Sequence, residues 1–246
     1  LLAAIVLLTI REPSTRTQAR AEKPAEPLRH TVRRIWDDPA LRWMALGCTL
    51  FTTTGGAFNA FGAAYIIRNF GLSTTEVGIS YGLVAGLGGL AGTLMGGLLS
   101  DRLAERHPLR ALRLVAVVLI IGAPFRVLAL LAESYAVMLA CLFVPMTLAM
   151  AYAGPTFRTL QGRVPAETRA TSTAVLLFML NGIGLSLGPL LAGGLSDALV
   201  PVVGPDSLRV ALSILVLGDI AGAALFWLAG RAERPINVKE ASKRAV

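Results

Sequence analysis

Two side chains stand where charge is costly. Asp219 lies about eleven residues into the apolar run 208–230, and Arg126 lies inside the run 111–132. At about 1.5 Å per helical residue the two fall at similar depths. An acid held in such surroundings either carries a proton or serves as a structural polar partner. Arg126 can pair with it, or snorkel its guanidinium to the outer surface. Asn59, Tyr65, Tyr81, Tyr152 and Asn181 also fall within or near the ends of apolar runs. Their hydrogen-bonding groups need partners, either on a neighbouring helix or on a solute in a cavity. Gly78-Ile-Ser80-Tyr-Gly82 matches the spacing of a nucleophile elbow. An elbow needs a strand-to-helix turn and a nearby base, whereas Ser80 lies inside a helical run and the two histidines, His30 and His107, lie in loops. No phosphate-cradling loop and no metal-binding H-E-x-x-H occurs, and Cys48 and Cys141 lack metal-ligand neighbours, so no cofactor and no catalytic residue is expected.

The elements that must position these groups are legible from composition. The chain has 246 residues, 54% hydrophobic and 15% charged, with mean hydropathy +0.65. Soluble domains carry about a quarter charged residues. The apolar residues are gathered in blocks at about 41–67, 75–99, 111–132, 136–157, 171–195 and 208–230. Each is long enough to cross a bilayer as a helix, and none alternates as a barrel strand would. The expected fold is an all-α membrane protein with a six-helix transmembrane bundle over 41–230. The opening Leu1–Ile10 is too short to cross and reads as the end of a helix that begins outside this chain. Residues 11–40 read as a linker and 231–246 as a tail.

Charge sets the sidedness. Twenty of the 23 Lys and Arg residues fall before the first full run, in the loops after the second and fourth, or in the tail; Arg68, Arg126 and Arg209 do not. The positive-inside rule places that side, and both ends of the segment, in the cytoplasm. Spread over such loops, the net charge of +8 gives no footprint for nucleic acid. The excess of Arg over Lys points to a GC-rich bacterium, hence to a bacterial inner membrane as the lipid partner. Within the linker, Leu28, Val32, Ile35 and Trp36 recur at helical spacing beside Arg29, Arg33 and Arg34. That pattern suits either an amphipathic helix on the inner leaflet or a loosely ordered connection.

A repeat organises the runs. GLGGLAGTLMGGLLSD (86–101) matches GIGLSLGPLLAGGLSD (182–197), in the second and fifth runs, which cross in opposite directions. Three spans followed by three inverted ones is a recurrent membrane architecture. Gly78, Gly82 and Gly86, then Gly88, Gly92 and Gly96, and then Gly184, Gly188 and Ala192 recur every four residues. Such rows let backbones approach, for static packing or for rocking between states. Gly97 and the pair Asp101-Arg102 close the second run. Asp101 ends its own helix, where the dipole disfavours an acid, so a helix N-terminus elsewhere would be a better partner.

These residues resemble the major facilitator superfamily, specifically its C-terminal half. Gly97-Leu-Leu-Ser-Asp101-Arg102, followed by Arg106, looks like the cytoplasmic G-x-x-x-D-R-x-G-R-R motif, with Ala104 in place of a glycine and Glu105 in place of a basic residue. Gly184-x-x-x-Gly188-Pro189 is similar to a glycine–proline motif of antiporters, here in a different helix. Gly154-Pro155, Gln161-Gly-Arg-Val-Pro165, Arg169-Ala170, Asn181 through Pro189, Ser196-Asp197 and Ser207-Leu-Arg209 look like the Spinster-like branch. The resemblance implies a secondary transporter working by alternating access, coupled to an ion or proton, whose missing N-terminal half carries helices one to six. It implies a small organic or lipid-like amphipathic solute; a general drug or metabolite efflux antiporter is the alternative, ahead of a membrane enzyme or channel. It gives gating roles to Gly97, Asp101, Arg102, Arg106, Arg169, Gly188 and Pro189. It favours Asn59, Tyr81, Tyr152 and Asn181 as cavity residues over Asp219, whose helix is usually peripheral.

Overall fold

The structure, a computed structural model, describes residues 27–104 and 108–232, and for 99–104 and 108 the backbone alone. The expectations for residues 1–10, for most of the linker, for Arg106 and for the tail lie outside the described residues. All the regular structure described is helical. The helices are α1 (Leu28–Asp37), α2 (Pro39–Phe70), α3 (Thr74–Ala104), α4 (Pro108–Leu131), α5 (Tyr135–Ala151) and α6 (Ala153–Arg163). They continue with α7 (Arg169–Leu177), a π-helical segment (Phe178–Leu185), α8 (Ser186–Val203), α9 (Ser207–Leu215) and α10 (Leu217–Ala229). The six apolar runs correspond in order to α2, α3, α4, α5–α6, α7–α8 and α9–α10.

The local sequence explains where these helices begin and end. Asp38 caps α2, accepting from the Ala40 and Leu41 backbone N–H groups at 2.9 and 3.5 Å, with Pro39 preset for the first turn. Gly71, at φ 63°, ends it in a left-handed turn that a side chain would strain. Ser73 and Glu76 form a capping box on α3: Glu76 accepts from the Ser73 backbone and hydroxyl at 2.9 and 2.7 Å, and the Glu76 N–H donates back at 3.3 Å. Gly204, at φ 58°, turns the chain between α8 and α9, which pack together.

Thr74–Leu98, Leu109–Leu131, Tyr135–Arg163 and the long stretch Ala166–Ala229 are apolar and long enough to cross a membrane. The last stretch has 64 residues, enough for two crossings with the turn at Gly204 between them. α2 has 32 residues but is diluted by Thr52, Thr53, Thr54, Gly55, Gly56 and Asn59. It is nonetheless the central helix, packed against α10, the π-helical segment and α8.

The packing has an internal two-fold pattern. The second span lies on the fourth (α3 on α5) as the fifth lies on the first (α8 on α2). The third meets the fourth as the sixth meets the first, and the third meets the sixth. Exchanging spans one to three with four to six maps this pattern onto itself, in agreement with the matched segments 86–101 and 182–197. Two buried clusters fill the bundle: Met44, Cys48, Leu112, Leu176 and Phe226 belong to one, and Phe58, Ile66, Leu130, Met138 and Leu212 to the other.

The linker segment 28–37 is a helix. Thr31 and Ile35 are buried where α1 meets α2 and α7, whereas Leu28, Val32 and Trp36 remain exposed. Arg34 donates to the Thr168 hydroxyl at 3.3 Å, and Arg163 grips Asp38 with Nε–Oδ2 at 2.9 Å and Nη2–Oδ1 at 3.2 Å. Asp38 therefore caps α2 and ties its start to the end of α6.

Candidate solute cavity and buried ion pair

A cavity of about 290 Å³ opens among the first five spans. α2 contributes Phe51, Phe58 and Asn59, α3 contributes Tyr81, and α4 contributes Arg126. α5 supplies Leu142, Met146 and Met150, the α5–α6 junction supplies Tyr152, and the π-helical segment supplies Leu185. Pro145, which cannot donate a backbone hydrogen bond, also lies in the wall. Asn59, Met150 and Leu185 are exposed, so the cavity is open on that side. Most of its surface is apolar, with a few convergent polar groups, which is the usual composition of a small-molecule site.

Of the five polar residues expected from the sequence, the structure brings three to this cavity: Asn59, Tyr81 and Tyr152. The Tyr152 ring meets Phe51 edge-on, with centroids 5.1 Å apart. Tyr65 is placed elsewhere: it is buried, and its hydroxyl donates to the Leu130 carbonyl at 2.7 Å. Asn181 is exposed and donates to its own helix, at the Leu177 carbonyl, 3.1 Å away. Ser80 lies within α3, where its hydroxyl donates to the Glu76 carbonyl at 2.5 Å and bonds the Tyr135 hydroxyl. That is a helical setting and not a strand-to-helix turn.

At the inner wall Arg126 meets Asp219, Nε to Oδ2 at 3.4 Å, with side chains 9% and 2% exposed. The guanidinium also lies over the Phe58 and Phe51 rings, 5.0 and 5.6 Å from their centroids. The sequence left pairing and snorkelling open for Arg126; burial beside Asp219 is what the structure shows. The pair is under-bonded, since Arg126 Nη1 and Asp219 Oδ1 have no hydrogen-bond partner among the described residues. Asp219 is absent from the cavity wall, so a solute there reaches the cation and not the acid.

The residues expected to gate are scattered. Gly97 faces open space, and Asp101 and Arg102 lie in the last turn of α3. Arg169 donates to the Gln161 carbonyl at 3.0 Å. Gly188 is pressed against α2, where an added Cβ would stand 2.5 Å from the Ala57 nitrogen. Sequence reasoning missed two features. The pairing of Asp38 with Arg163 is one: Arg163 belongs to a motif, and nothing in the spacing ties it to Asp38. The π-helical segment was equally hidden, although Pro189 is its one local signal: Pro189 lacks the N–H that would donate to the Leu185 carbonyl four residues before.

A helical bundle of two interlocked three-span repeats, open to one side through a mostly apolar cavity, defines an integral multi-pass membrane protein. The chain belongs to the Major Facilitator Superfamily, whose model matches residues 1–189. It is 34% identical over 245 residues to an MFS-type efflux pump of Mycolicibacterium smegmatis (strain ATCC 700084 / mc(2)155), covering 98% of this chain and 56% of that protein. Its fold is similar to the crystal structure of a bacterial homologue of the human lysosomal transporter Spinster, inward-facing and unoccupied, with TM-score 0.75 and 24% identity. The match covers 94% of this chain and 56% of that one. The inward-facing, occupied form of the homologue gives a TM-score of 0.71. The chain thus spans about half the length of the relatives it matches.

Proposed function

We propose that this chain is the C-terminal half of a secondary active transporter that moves a small organic or lipid-like amphipathic solute by alternating access, coupled to an ion or proton. The observation that carries the reading is the cavity itself, with Asn59, Tyr81 and Tyr152 converging in a wall otherwise made largely of aromatic, aliphatic and methionine side chains. Membership of a transporter superfamily and similarity to an efflux pump support it. On this reading residues 1–10 end the sixth helix, 11–40 link the halves, 41–230 form the bundle and 231–246 a cytoplasmic tail. The membrane is a bacterial inner membrane, and the cavity is completed by the N-terminal half. Asp101 then engages a helix N-terminus of that half when the cytoplasmic side closes.

The test is flux of a substrate panel into liposomes carrying the complete transporter, with and without a proton gradient. Gradient-dependent flux of at least one amphipathic solute is expected, and Asp101→Asn should shift the balance of inward and outward states. Flux of no solute under either condition overturns the transport reading. Flux and conformational balance untouched by Asp101→Asn overturn the latch alone.

A further inference from the structure

The cavity wall contains a single charged residue among the described residues, Arg126. This guanidinium is buried but incompletely hydrogen-bonded. It is 7% exposed, touches Asp219 through Nε at 3.4 Å, and leaves Nη1 without a partner. A buried cation with spare donors costs free energy until an acceptor arrives. Asp219 does not supply the missing bonds: its own Oδ1 is without a partner, and the void bordering both groups is only about 10 Å³. The larger cavity also borders Arg126, and Phe51, Phe58, Leu142 and Met146 line it as well. The two aromatic rings hold the guanidinium at the boundary between these spaces.

We propose that Arg126 is the anion-recognising residue of this cavity, binding the single anionic group of an amphipathic molecule in competition with Asp219. The apolar body of that molecule packs on Phe51, Phe58 and Met146. This deepens the transport reading of the same cavity and rests on it. The acceptor required is a compact oxyanion able to meet two guanidinium N–H groups: a carboxylate, a sulfonate or a phosphate ester. Among the described residues the wall offers a cationic amphiphile no counter-charge, so this side of the cavity disfavours one. Asp219 has a defined part here: it neutralises Arg126 while the cavity is empty, and it sets how firmly an incoming anion is held.

The test measures binding, separately from flux, by calorimetry on the complete transporter in nanodiscs, with naphthalene sulfonate and its uncharged near-isostere naphthalene sulfonamide as probes. The sulfonate should bind about tenfold or more tightly than the sulfonamide, as a desolvated charge-assisted pair requires. Arg126→Gln should equalise the two affinities while sulfonamide binding persists, and Arg126→Lys should keep a reduced preference. Asp219→Asn should tighten the sulfonate several-fold, because its competitor is gone, and leave the sulfonamide unchanged. A purely structural pair predicts the opposite for Asp219→Asn, a weakening of both probes. Equal affinities in the unaltered protein, a preference surviving Arg126→Gln, or weaker sulfonate binding in Asp219→Asn would each overturn the proposal. If Arg126→Gln does not fold, Arg126→Lys and Asp219→Asn decide it.

Nanodiscs of phosphatidylcholine with and without phosphatidylglycerol separate the sources of the anionic group. Both outcomes support the site: suppression of sulfonate binding by phosphatidylglycerol assigns it to a bilayer lipid, and undiminished binding assigns it to a solute. Anion preference without flux would break the transport reading only. Flux without anion preference would break the assignment to Arg126 only.

Discussion

The two helix crossings that the internal repeat places in equivalent positions are built from the same pattern and differ in one turn. In the first, Gly88, Gly92 and Gly96 of α3 lie on Thr147 and Ala151 of α5, and a Cβ at Gly96 would stand 2.7 Å from the Ala151 Cα. In the second, Gly184, Gly188 and the fully buried Ala192 occupy the matching positions against α2, and a Cβ at Gly184 would stand 2.8 Å from the Thr49 carbonyl. The second crossing also needs a glycine on the partner: a Cβ at Gly56 would stand 2.6 Å from the Leu185 carbonyl. The difference lies one residue after Gly92 and Gly188. Thr93 continues α3, its hydroxyl bonding the Gly89 carbonyl at 2.8 Å, whereas Pro189 follows the π-helical segment whose last residue is Leu185. The lesson is that a symmetric backbone contact has been kept while one copy was loosened beside the cavity. π-helical insertions are frequent at functional sites.

The repeats differ also in charge, because the third span carries Arg126 and the sixth carries Asp219 at the interface where the two repeats meet. The largest effect is expected from breaking that complementarity. Asp219→Leu strands a buried guanidinium and should lower stability by about 3–5 kcal/mol. Replacing both residues together with apolar ones should recover most of the loss, since the pair's mutual attraction barely offsets its desolvation. Thermal unfolding of the complete transporter in detergent measures both. A single variant as stable as the parent would show that Arg126 finds another acceptor.

The second effect tests whether the two crossings are equivalent. Gly92→Ala and Gly188→Ala each push a methyl group into a facing backbone, and each should lower stability by about 1–3 kcal/mol, by the same unfolding measurement. Gly82→Ala is the control: among the described residues nothing lies within 4 Å of its Cβ position, so helix propensity should apply and raise stability by about 0.5–1 kcal/mol. Loss at Gly188 but not at Gly92 would mean that the crossings are alike in sequence only.

These contrasts show which part of the molecule could be read from its residues. Six helices and their two-fold arrangement follow from apolar run length and from one repeated segment, both of which are local patterns. The glycine rows were harder to interpret. Gly88, Gly92 and Gly96 make the close contact their spacing implies, while Gly78, Gly82 and Gly86, with the same spacing on the same helix, meet open space. Spacing fixes a face, and only the partner decides whether that face is used. The same limit separates Asn59, Tyr81 and Tyr152, which reach the cavity, from Tyr65 and Asn181, which satisfy themselves on nearby carbonyls. All five are polar residues in or near apolar runs, and the helix face each one occupies distinguishes them.

The smallest effect expected is also the one that bears most directly on the loosened copy. Pro189→Ala supplies the N–H that Pro189 cannot offer to the Leu185 carbonyl and gives α8 the regularity that Thr93 gives α3. An N–H restored to the helix should raise stability by about 1 kcal/mol, less than a proline normally costs because the surrounding helix has already adapted to it. Leu185 lies in the cavity wall, so the same change should also stiffen that wall. Transport by the complete protein should then slow although the protein is more stable, and flux with unfolding temperature measured on one preparation will show it. A faster transporter, or one equally fast and more stable, would mean that the irregular turn serves only to fit Leu185 past Gly56. Slower transport at higher stability would identify the π-helical segment as the place where the repeats' symmetry is given up for motion.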